Sequence, residues 1–167
     1  MIHVCSLAAL PETASIVAPS HLVTLINSDT AVDRPAAILA ANHLKIGIND
    51  ICAPADGYVC ASETHIGELI GFLRGWDRER PILIHCWAGI SRSTAAAYVT
   101  ACIHHPEHDE RAIARALRAA SPTATPNALI VALADQALGR GGRMTAAIEE
   151  IGRGENAAAG LPFRLDI

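Results

Sequence analysis

Lysine, aromatic residues and long apolar runs are scarce in this sequence of 167 residues. Lys45 is the only lysine among 13 lysine and arginine residues, the net charge is −4, and no basic stripe is present, so we expect no nucleic-acid partner. The longest apolar runs, Ser93–Ile103 and Ala128–Ala134, are too short to cross a bilayer. The first residues show neither a cationic segment nor a cleavage site, so we expect no signal peptide. These absences predict a cytoplasmic protein without a membrane partner.

The sequence also lacks a regular pattern of cysteines. Its five cysteines are irregularly spaced and form no Cys-x-x-Cys motif. They are Cys5, Cys52, Cys60, Cys86 and Cys102. This pattern argues against a disulfide framework or a zinc ribbon and favours reduced thiols. The length and a hydrophobic content of 51% predict one domain over residues 1–167, with residues 139–167 as a C-terminal extension of unclear role. The high content of alanine, and the preference for arginine over lysine, are typical of proteins encoded by a GC-rich bacterial genome.

Short apolar runs predict four buried strands, and helical patterns lie between and after them. The predicted strands are Ile2–Cys5, Leu22–Ile26, Leu44–Ile48 and Ile82–His85. The predicted helices cover Leu7–Ala18, Ile66–Trp76, Ser93–Ile103, a segment that starts near Pro106, Ala128–Leu138 and Met144–Ile151. This order predicts an α/β fold with three layers, in which a small, mostly parallel sheet of about four strands is flanked by helices.

Caps and charges predict where two of these helices begin. Acidic residues within 107–110 suit the first turn of the helix near Pro106. Thr125 followed by Pro126 predicts an N-cap and the first position of the next helix. Because Ala128–Leu138 is apolar on almost every side, we expect this helix at the centre of the fold.

Residues 85–93, His-Cys-Trp-Ala-Gly-Ile-Ser-Arg-Ser, lie between the last predicted strand and a helix, and we call them the signature loop. Parallel α/β sheets bind ligands at the carboxyl ends of their strands, where this loop lies. A thiol at a helix N-terminus, near cationic groups, ionises easily. The backbone N–H groups that follow Cys86 can converge on one point and hold an anion. The residues expected to line this cradle are Trp87, Ala88, Gly89, Ile90, Ser91 and Arg92.

Side chains of the signature loop extend this prediction. Gly89 permits backbone angles that a side chain would forbid, and Arg92 can grip two oxygens of an anion bidentately. The Ser93 hydroxyl can hydrogen-bond the sulfur, and His85 can orient the loop through its ring nitrogens. Trp87 either lines a pocket or anchors the loop to the core.

The pattern His-Cys-x5-Arg-Ser resembles the protein tyrosine phosphatase superfamily, and Ala-Gly-Ile-Ser-Arg-Ser is most similar to its dual-specificity branch. The resemblance implies a phosphotyrosine phosphatase-like fold and catalysis without a metal or another cofactor. It also implies that Cys86 is the nucleophile, that Arg92 binds the phosphoryl group and that Ser93 assists release of the thiol. Rhodanese-type sulfur transferases use a related loop, but the histidine before the cysteine and the serine after the arginine favour a phosphatase.

A poor leaving group needs an acid, and the resemblance implies an aspartate on a separate loop upstream of the signature. In the dual-specificity branch this aspartate ends a strand, and Ile46-Gly47-Ile48-Asn49-Asp50 matches that pattern. Asp50 lies 36 residues before Cys86, a spacing somewhat longer than is usual in that branch. Asp56, which lies 30 residues before Cys86, is therefore the alternative acid.

Asn127 is a candidate support for the signature loop. It ends a stretch that resembles the Ser-Pro-Asn stretch of dual-specificity relatives, in which the asparagine buttresses the loop. The residues inserted between Ser121 and Pro126 depart from that pattern, and an ordinary helix-start residue is the alternative.

Two further groups of residues are given structural interpretations. The histidines around Glu107, at positions 104, 105 and 108, are typical of a surface turn, so no metal site is predicted. Cys52 and Cys60 lie in the loop that follows Asp50 and contains Asp56. We interpret them as packing residues, with an oxidative disulfide to Cys86 as the alternative.

The sequence therefore predicts a cysteine phosphatase that hydrolyses phosphotyrosine or related phosphomonoesters through a phosphocysteine intermediate. The partner is a phosphorylated protein or a small phosphomonoester, and phosphate or sulfate can occupy the loop. Two alternatives stay open. One is a catalytically idle module that binds phosphorylated partners, and the other is a phosphatase for a phosphoinositide, an RNA 5′-phosphate or a small metabolite.

Overall fold

Strands and helices alternate along the first half of the chain, and helices dominate the second half. The structure, a computed structural model, describes residues 1–166. The strands are β1 (Ile2–Ser6), β2 (His21–Ile26), β3 (His43–Gly47), β4 (Ile82–Cys86) and β5 (Phe163–Leu165). The α-helices are α1 (Leu10–Val17), α2 (Glu63–Arg74), α3 (Arg92–His104), α4 (Glu110–Ala120), α5 (Ala128–Ala137) and α6 (Arg143–Ile151). The predicted α/β class is confirmed, and the four predicted strands agree with β1 to β4 to within about one residue at each end.

The strands form one sheet in the order β3-β2-β4-β1-β5. β1 to β4 are parallel, whereas β5 pairs antiparallel with β1 and places Phe163 opposite Val4. β4 is the central strand and ends at Cys86, so the signature loop leaves the middle of the sheet at its carboxyl edge. The mostly parallel sheet is confirmed, and β5 is the strand that the sequence patterns did not predict.

The side chains of β4 alternate between two apolar cores, as the two-residue period of a strand requires. Ile82 and Ile84 lie in the larger core, to which α2 to α6 all contribute buried side chains. Leu83 lies in the smaller core together with Leu10 of α1. The sheet is therefore the middle of three layers.

The central helix is α3, whose residues Arg92–Cys102 are all buried. It contacts β1, β2 and β4, and the small side chains of Ala95–Ala97 allow this close approach. The prediction that Ala128–Leu138 is central is wrong, because α5 exposes Ala132 and Gln136 to solvent. Alanine counts as an apolar residue but is small enough to lie on the surface, so a helix rich in alanine can still have one face exposed to solvent.

Three helices begin later than predicted. α1 begins at Leu10 rather than at Leu7, and Pro11 lies in its first turn. α4 begins at Glu110 rather than near Pro106, because the carboxylate of Asp109 accepts hydrogen bonds from backbone N–H groups of the first turn. α5 is capped by the side chain of Asn127 rather than by Thr125. In α4 and α5 a strong N-cap satisfies the free N–H groups of the helix and determines where it starts.

Residues beyond Gly139 belong to this fold. α6 packs against α4 and α5, and its first turn is held by Asp135, whose carboxylate accepts hydrogen bonds of 2.6 Å from Gly142 N and from Met144 N. The chain then returns to the sheet, where Leu165 of β5 is buried. The C-terminal extension thus supplies a helix and an edge strand. None of the described helices is both long enough and apolar enough to cross a membrane.

Candidate active site

The Cys86 side chain lies at the bottom of a tight connection between β4 and α3. Only 1% of Cys86 is exposed. Its Sγ is 3.1 Å from Ser93 Oγ and accepts a hydrogen bond of 3.3 Å from Gly89 N. One backbone N–H group and one hydroxyl therefore face the sulfur, which lies next to the N-terminus of a helix of 13 residues.

The backbone of the signature loop leaves several N–H groups free. Among the described residues, no hydrogen bond has as its donor the backbone N–H of Trp87, Ala88, Ile90 or Ser91. Free N–H groups that follow one another around a helix N-terminus form a cradle for an anion. The predicted cradle thus has unused donors for the oxygens of a phosphoryl group.

Gly89 is required by both the backbone angle and the lack of space. Its φ is +72°, a region that favours glycine. A Cβ at this position would lie 2.8 Å from the backbone atoms Cys5 C and Ser6 N. The loop therefore packs directly on the end of β1, and no larger residue fits here without moving the main chain.

Arg92 is a buried cation with spare hydrogen-bonding capacity. Its Nη1 donates to Ile48 O at 2.7 Å, which ties the side chain to the end of β3. Its Nε is buried and has no hydrogen-bond partner among the described residues. An unpartnered donor on a buried guanidinium is costly unless an anion binds it.

Asp50 is the aspartate that the fold brings to the signature loop. Its Oδ1 accepts hydrogen bonds from Ser91 Oγ at 2.7 Å and from Asn127 Nδ2 at 2.9 Å, and its Oδ2 is 4.0 Å from Arg92 Nε. Asp56 is exposed and makes no hydrogen bond or ion pair with the loop in the part of the chain that the structure describes. The carboxylate next to Arg92 is thus that of Asp50.

Asn127 links the candidate acid to a helix start. Its Nδ2 donates to Asp50 Oδ1, and its Oδ1 accepts from Ile130 N at 3.1 Å as the N-cap of α5. Its backbone N donates to Ser91 O at 3.3 Å. One buried side chain therefore caps the helix and contacts the aspartate, so the two interpretations of Asn127 are compatible.

His85 is buried under the loop and belongs to a short polar chain that crosses the sheet. Thr24 Oγ1 lies 2.7 Å from His85 Nε2 and 2.8 Å from His43 Nε2. Burial, with a smaller contribution from His43, lowers the pKa of His85 to about 4, so this ring is neutral near pH 7. Positive charge at the loop comes from Arg92 instead. Sequence patterns gave no signal for the contact with Thr24.

The remaining cysteines have environments different from that of Cys86. Burial raises the pKa of Cys5 and of Cys102 to about 12, so both thiols stay protonated near neutral pH. Cys52 is exposed and Cys60 is partly exposed. All five cysteines are free in the structure.

The surroundings of the loop are open to solvent. Trp87 is 58% exposed, which excludes the alternative that it anchors the loop in the core. A cavity of about 470 Å³ begins at Ile90 and Ser91 and extends along α5, the end of α6 and the residues that follow it. Cys86, Arg92 and Asp50 do not line this cavity, so it lies beside the candidate active site and not over the sulfur.

The histidine cluster lies far from the signature loop. His105 and His108 flank Glu107 in the connection between α3 and α4, at the opposite end of α3 from the loop. Each of the two histidines places a ring nitrogen 3.5 or 3.6 Å from Glu107 Oε1, a spacing typical of weak surface contacts. This placement agrees with their interpretation as surface residues.

Solved phosphatases share this fold. The Cydia pomonella PTP-2 phosphatase is 20% identical, with a TM-score of 0.62 over 81% of this chain and 84% of that chain. The Yvh1 phosphatase domain from Chaetomium thermophilum is 22% identical, with a TM-score of 0.61 over 86% and 93%. Human DUSP28 is 16% identical, with a TM-score of 0.60 over 81% and 86%. Comparison with models of protein families gives no match, and comparison with curated proteins gives none either.

Replacement of Gly89 by alanine should cost more stability than the same change at Gly57. Both glycines have positive φ, +72° and +80°, so alanine strains each backbone by about 1–2 kcal/mol. A new Cβ meets backbone only at Gly89, since nothing lies within 4 Å at Gly57. We expect the free energy of unfolding in urea to fall by about 1 kcal/mol in Gly57→Ala and by about 3 kcal/mol or more in Gly89→Ala. Equal losses would contradict the close packing of the loop on β1.

Proposed function

We propose that the protein is a metal-independent cysteine phosphatase acting on phosphotyrosine or related phosphomonoesters. The observation that carries the proposal is the convergence of three groups at one loop. They are the buried Cys86 thiol, the Arg92 guanidinium whose Nε lacks a partner, and the Asp50 carboxylate 4.0 Å from that nitrogen. The fold, which solved dual-specificity phosphatases share, supports the same conclusion.

In the first step the phosphoryl group binds in the signature loop. Its oxygens accept hydrogen bonds from the free backbone N–H groups and from Arg92, which neutralise the charge that builds up on them. The Cys86 thiolate attacks phosphorus, so a P–S bond forms while the P–O bond to the leaving group breaks. Asp50 gives its proton to the leaving oxygen, because a phenol or alcohol leaves poorly as an anion.

In the second step water removes the phosphoryl group from the enzyme. Asp50, now a carboxylate, takes a proton from the water molecule while the oxygen of that water forms a bond to phosphorus. The P–S bond breaks and returns the Cys86 thiolate. Ser93 Oγ, 3.1 Å from the sulfur, can hydrogen-bond this thiolate and improve it as a leaving group.

Ser91 and Asn127 orient Asp50 for both steps. Both donate to Oδ1, so Oδ2, which accepts no hydrogen bond among the described residues and lies 4.0 Å from Arg92 Nε, is the oxygen that carries and exchanges the proton. In this proposal Asn127 is a positioning residue, because it acts through Asp50 and not on the substrate.

The character of the loop favours some substrates over others. Residues 87–91 carry no lysine or arginine, which a polyanionic phosphoinositide headgroup would favour, so a single phosphomonoester on a protein or a small molecule fits better. The idle binding module is disfavoured because Cys86, Arg92 and an adjacent aspartate are all present. Inorganic phosphate or sulfate should occupy the same cradle. The cytoplasmic location and the bacterial origin stay predictions from the sequence.

The protein should hydrolyse p-nitrophenyl phosphate in the presence of EDTA, and Cys86→Ser should abolish this turnover. A serine hydroxyl at this position is not ionised near neutral pH and cannot replace the thiolate. Cys52→Ser, which changes an exposed cysteine, is the matched control and should retain the parent rate. Turnover that persists in Cys86→Ser, or that requires a metal, would overturn the mechanism.

Asp50→Ala should lose more activity than Asp56→Ala, and the difference should grow with a poorer leaving group. On phenyl phosphate we expect kcat to fall about 100-fold or more in Asp50→Ala, because general acid catalysis contributes on this order. The loss should be smaller on p-nitrophenyl phosphate, whose leaving group needs less protonation. A larger loss in Asp56→Ala would assign the acid to Asp56 instead.

A further inference from the structure

The carbonyl groups of the signature loop are held by segments outside it. A peptide unit points its N–H and its C=O in opposite directions, so N–H groups can face an anion only if the carbonyls face outward. Four of these carbonyls accept a backbone hydrogen bond from a different part of the chain. The contacts are Leu7 N to Trp87 O (3.2 Å), Gly160 N to Ala88 O (2.8 Å), Thr125 N to Ile90 O (2.9 Å) and Asn127 N to Ser91 O (3.3 Å).

The contact made by Gly160 involves the peptide unit next to the sulfur. Ala88 C=O and Gly89 N–H belong to one peptide unit. Its carbonyl accepts from Gly160 N at 2.8 Å, and its N–H donates to Cys86 Sγ at 3.3 Å. Because the two groups are rigidly coupled, the hydrogen bond from Gly160 helps to aim the N–H at the sulfur.

Gly160 packs so closely against the signature loop that a side chain at this position would contact it. A Cβ at this position would lie 3.0 Å from Gly89 O and 3.2 Å from Thr123 Oγ1. Gly160 is buried, although its neighbours Ala159 and Leu161 are exposed. The close approach is therefore confined to this residue.

Residues 152–162, which we call the C-terminal strap, are attached on both sides of this contact. On one side Gly154 N donates to Thr125 Oγ1 at 3.1 Å, and Glu155 N donates to Pro122 O at 2.9 Å. On the other side the chain enters β5, which pairs with β1. The strap thus crosses the outside of the signature loop between two anchors.

We propose that the C-terminal strap positions the signature loop for catalysis, with Gly160 holding the Ala88–Gly89 peptide so that its N–H faces Cys86. The proposal deepens the proposed function and rests on it for the catalytic consequence. Gly160 is a positioning residue, because it contacts the outer side of the loop and neither the sulfur nor the bound anion. The strap thereby gives the C-terminal extension a role at the active site.

The test uses two variants of the full chain. Gly160→Ala pushes the strap away from Gly89 O by a few tenths of an ångström, and Gly160→Pro removes the N–H that binds Ala88 O. Gly67→Ala is the matched control, because a new Cβ there has no atom within 4 Å. The readouts are the melting temperature, kcat/KM for p-nitrophenyl phosphate, and the pH dependence of iodoacetamide alkylation at Cys86, followed by mass spectrometry.

Both Gly160 variants should keep a cooperative unfolding transition. We expect kcat/KM to fall about 10- to 100-fold, more in Gly160→Pro, because misalignment forfeits part of the roughly 100- to 1,000-fold that removal of one such donor costs. The midpoint of alkylation at Cys86 should move up by about one pH unit, because the thiolate loses a hydrogen bond. Gly67→Ala should leave both quantities at their parent values.

Two results would overturn the proposal. Folded Gly160 variants with the parent alkylation midpoint, whether or not kcat/KM falls, would show that the strap does not aim the N–H group. Loss of the unfolding transition in both variants would make Gly160 a folding residue. Alkylation needs no turnover, so an inactive parent protein with the expected shifts would refute the proposed function and leave the positioning role standing.

Discussion

The chemistry of this site depends on a constraint of the peptide bond, namely that an N–H group faces inward only when the adjacent carbonyl faces outward. In the signature loop those carbonyls are bound by the residue after β1, by the segment before α5 and by the C-terminal strap. The anion cradle is therefore a property of the whole fold. It requires a central strand, a helix that starts directly after it, and three separate pieces of chain around the turn.

The site presents a buried guanidinium group that an anion could bind. Arg92 is buried, and its Nε lacks a hydrogen-bond partner among the described residues, while Asp50 is held by Ser91 and Asn127 at a distance of 4.0 Å from that nitrogen. Burial keeps His85 neutral, so it does not compete for the anion. A phosphoryl group bound at Arg92 would lie next to both the Cys86 sulfur and the Asp50 carboxylate.

The sequence predicted the features that depend on local patterns. β1 to β4 are continuous apolar runs, so their positions could be predicted from the sequence. The signature loop could be predicted as well, because its cysteine, glycine and arginine are close together along the chain. Features set by long-range contacts were missed or left open. β5 has only three residues and forms because β1 offers a free edge, and the strap carries no motif because it acts through backbone groups. The choice between Asp50 and Asp56 depends on which one the end of β3 brings to the loop.

The most direct test of the account is to trap the covalent intermediate. The protein is mixed with p-nitrophenyl phosphate, quenched in denaturant within milliseconds, digested and analysed by mass spectrometry. The account predicts one phosphoryl group on the peptide that contains Cys86, localised to its sulfur, and more of it when Asp50→Ala slows hydrolysis of the intermediate. A phosphoryl group on Ser91 or Ser93, or turnover with no adduct on Cys86 under either condition, would contradict it.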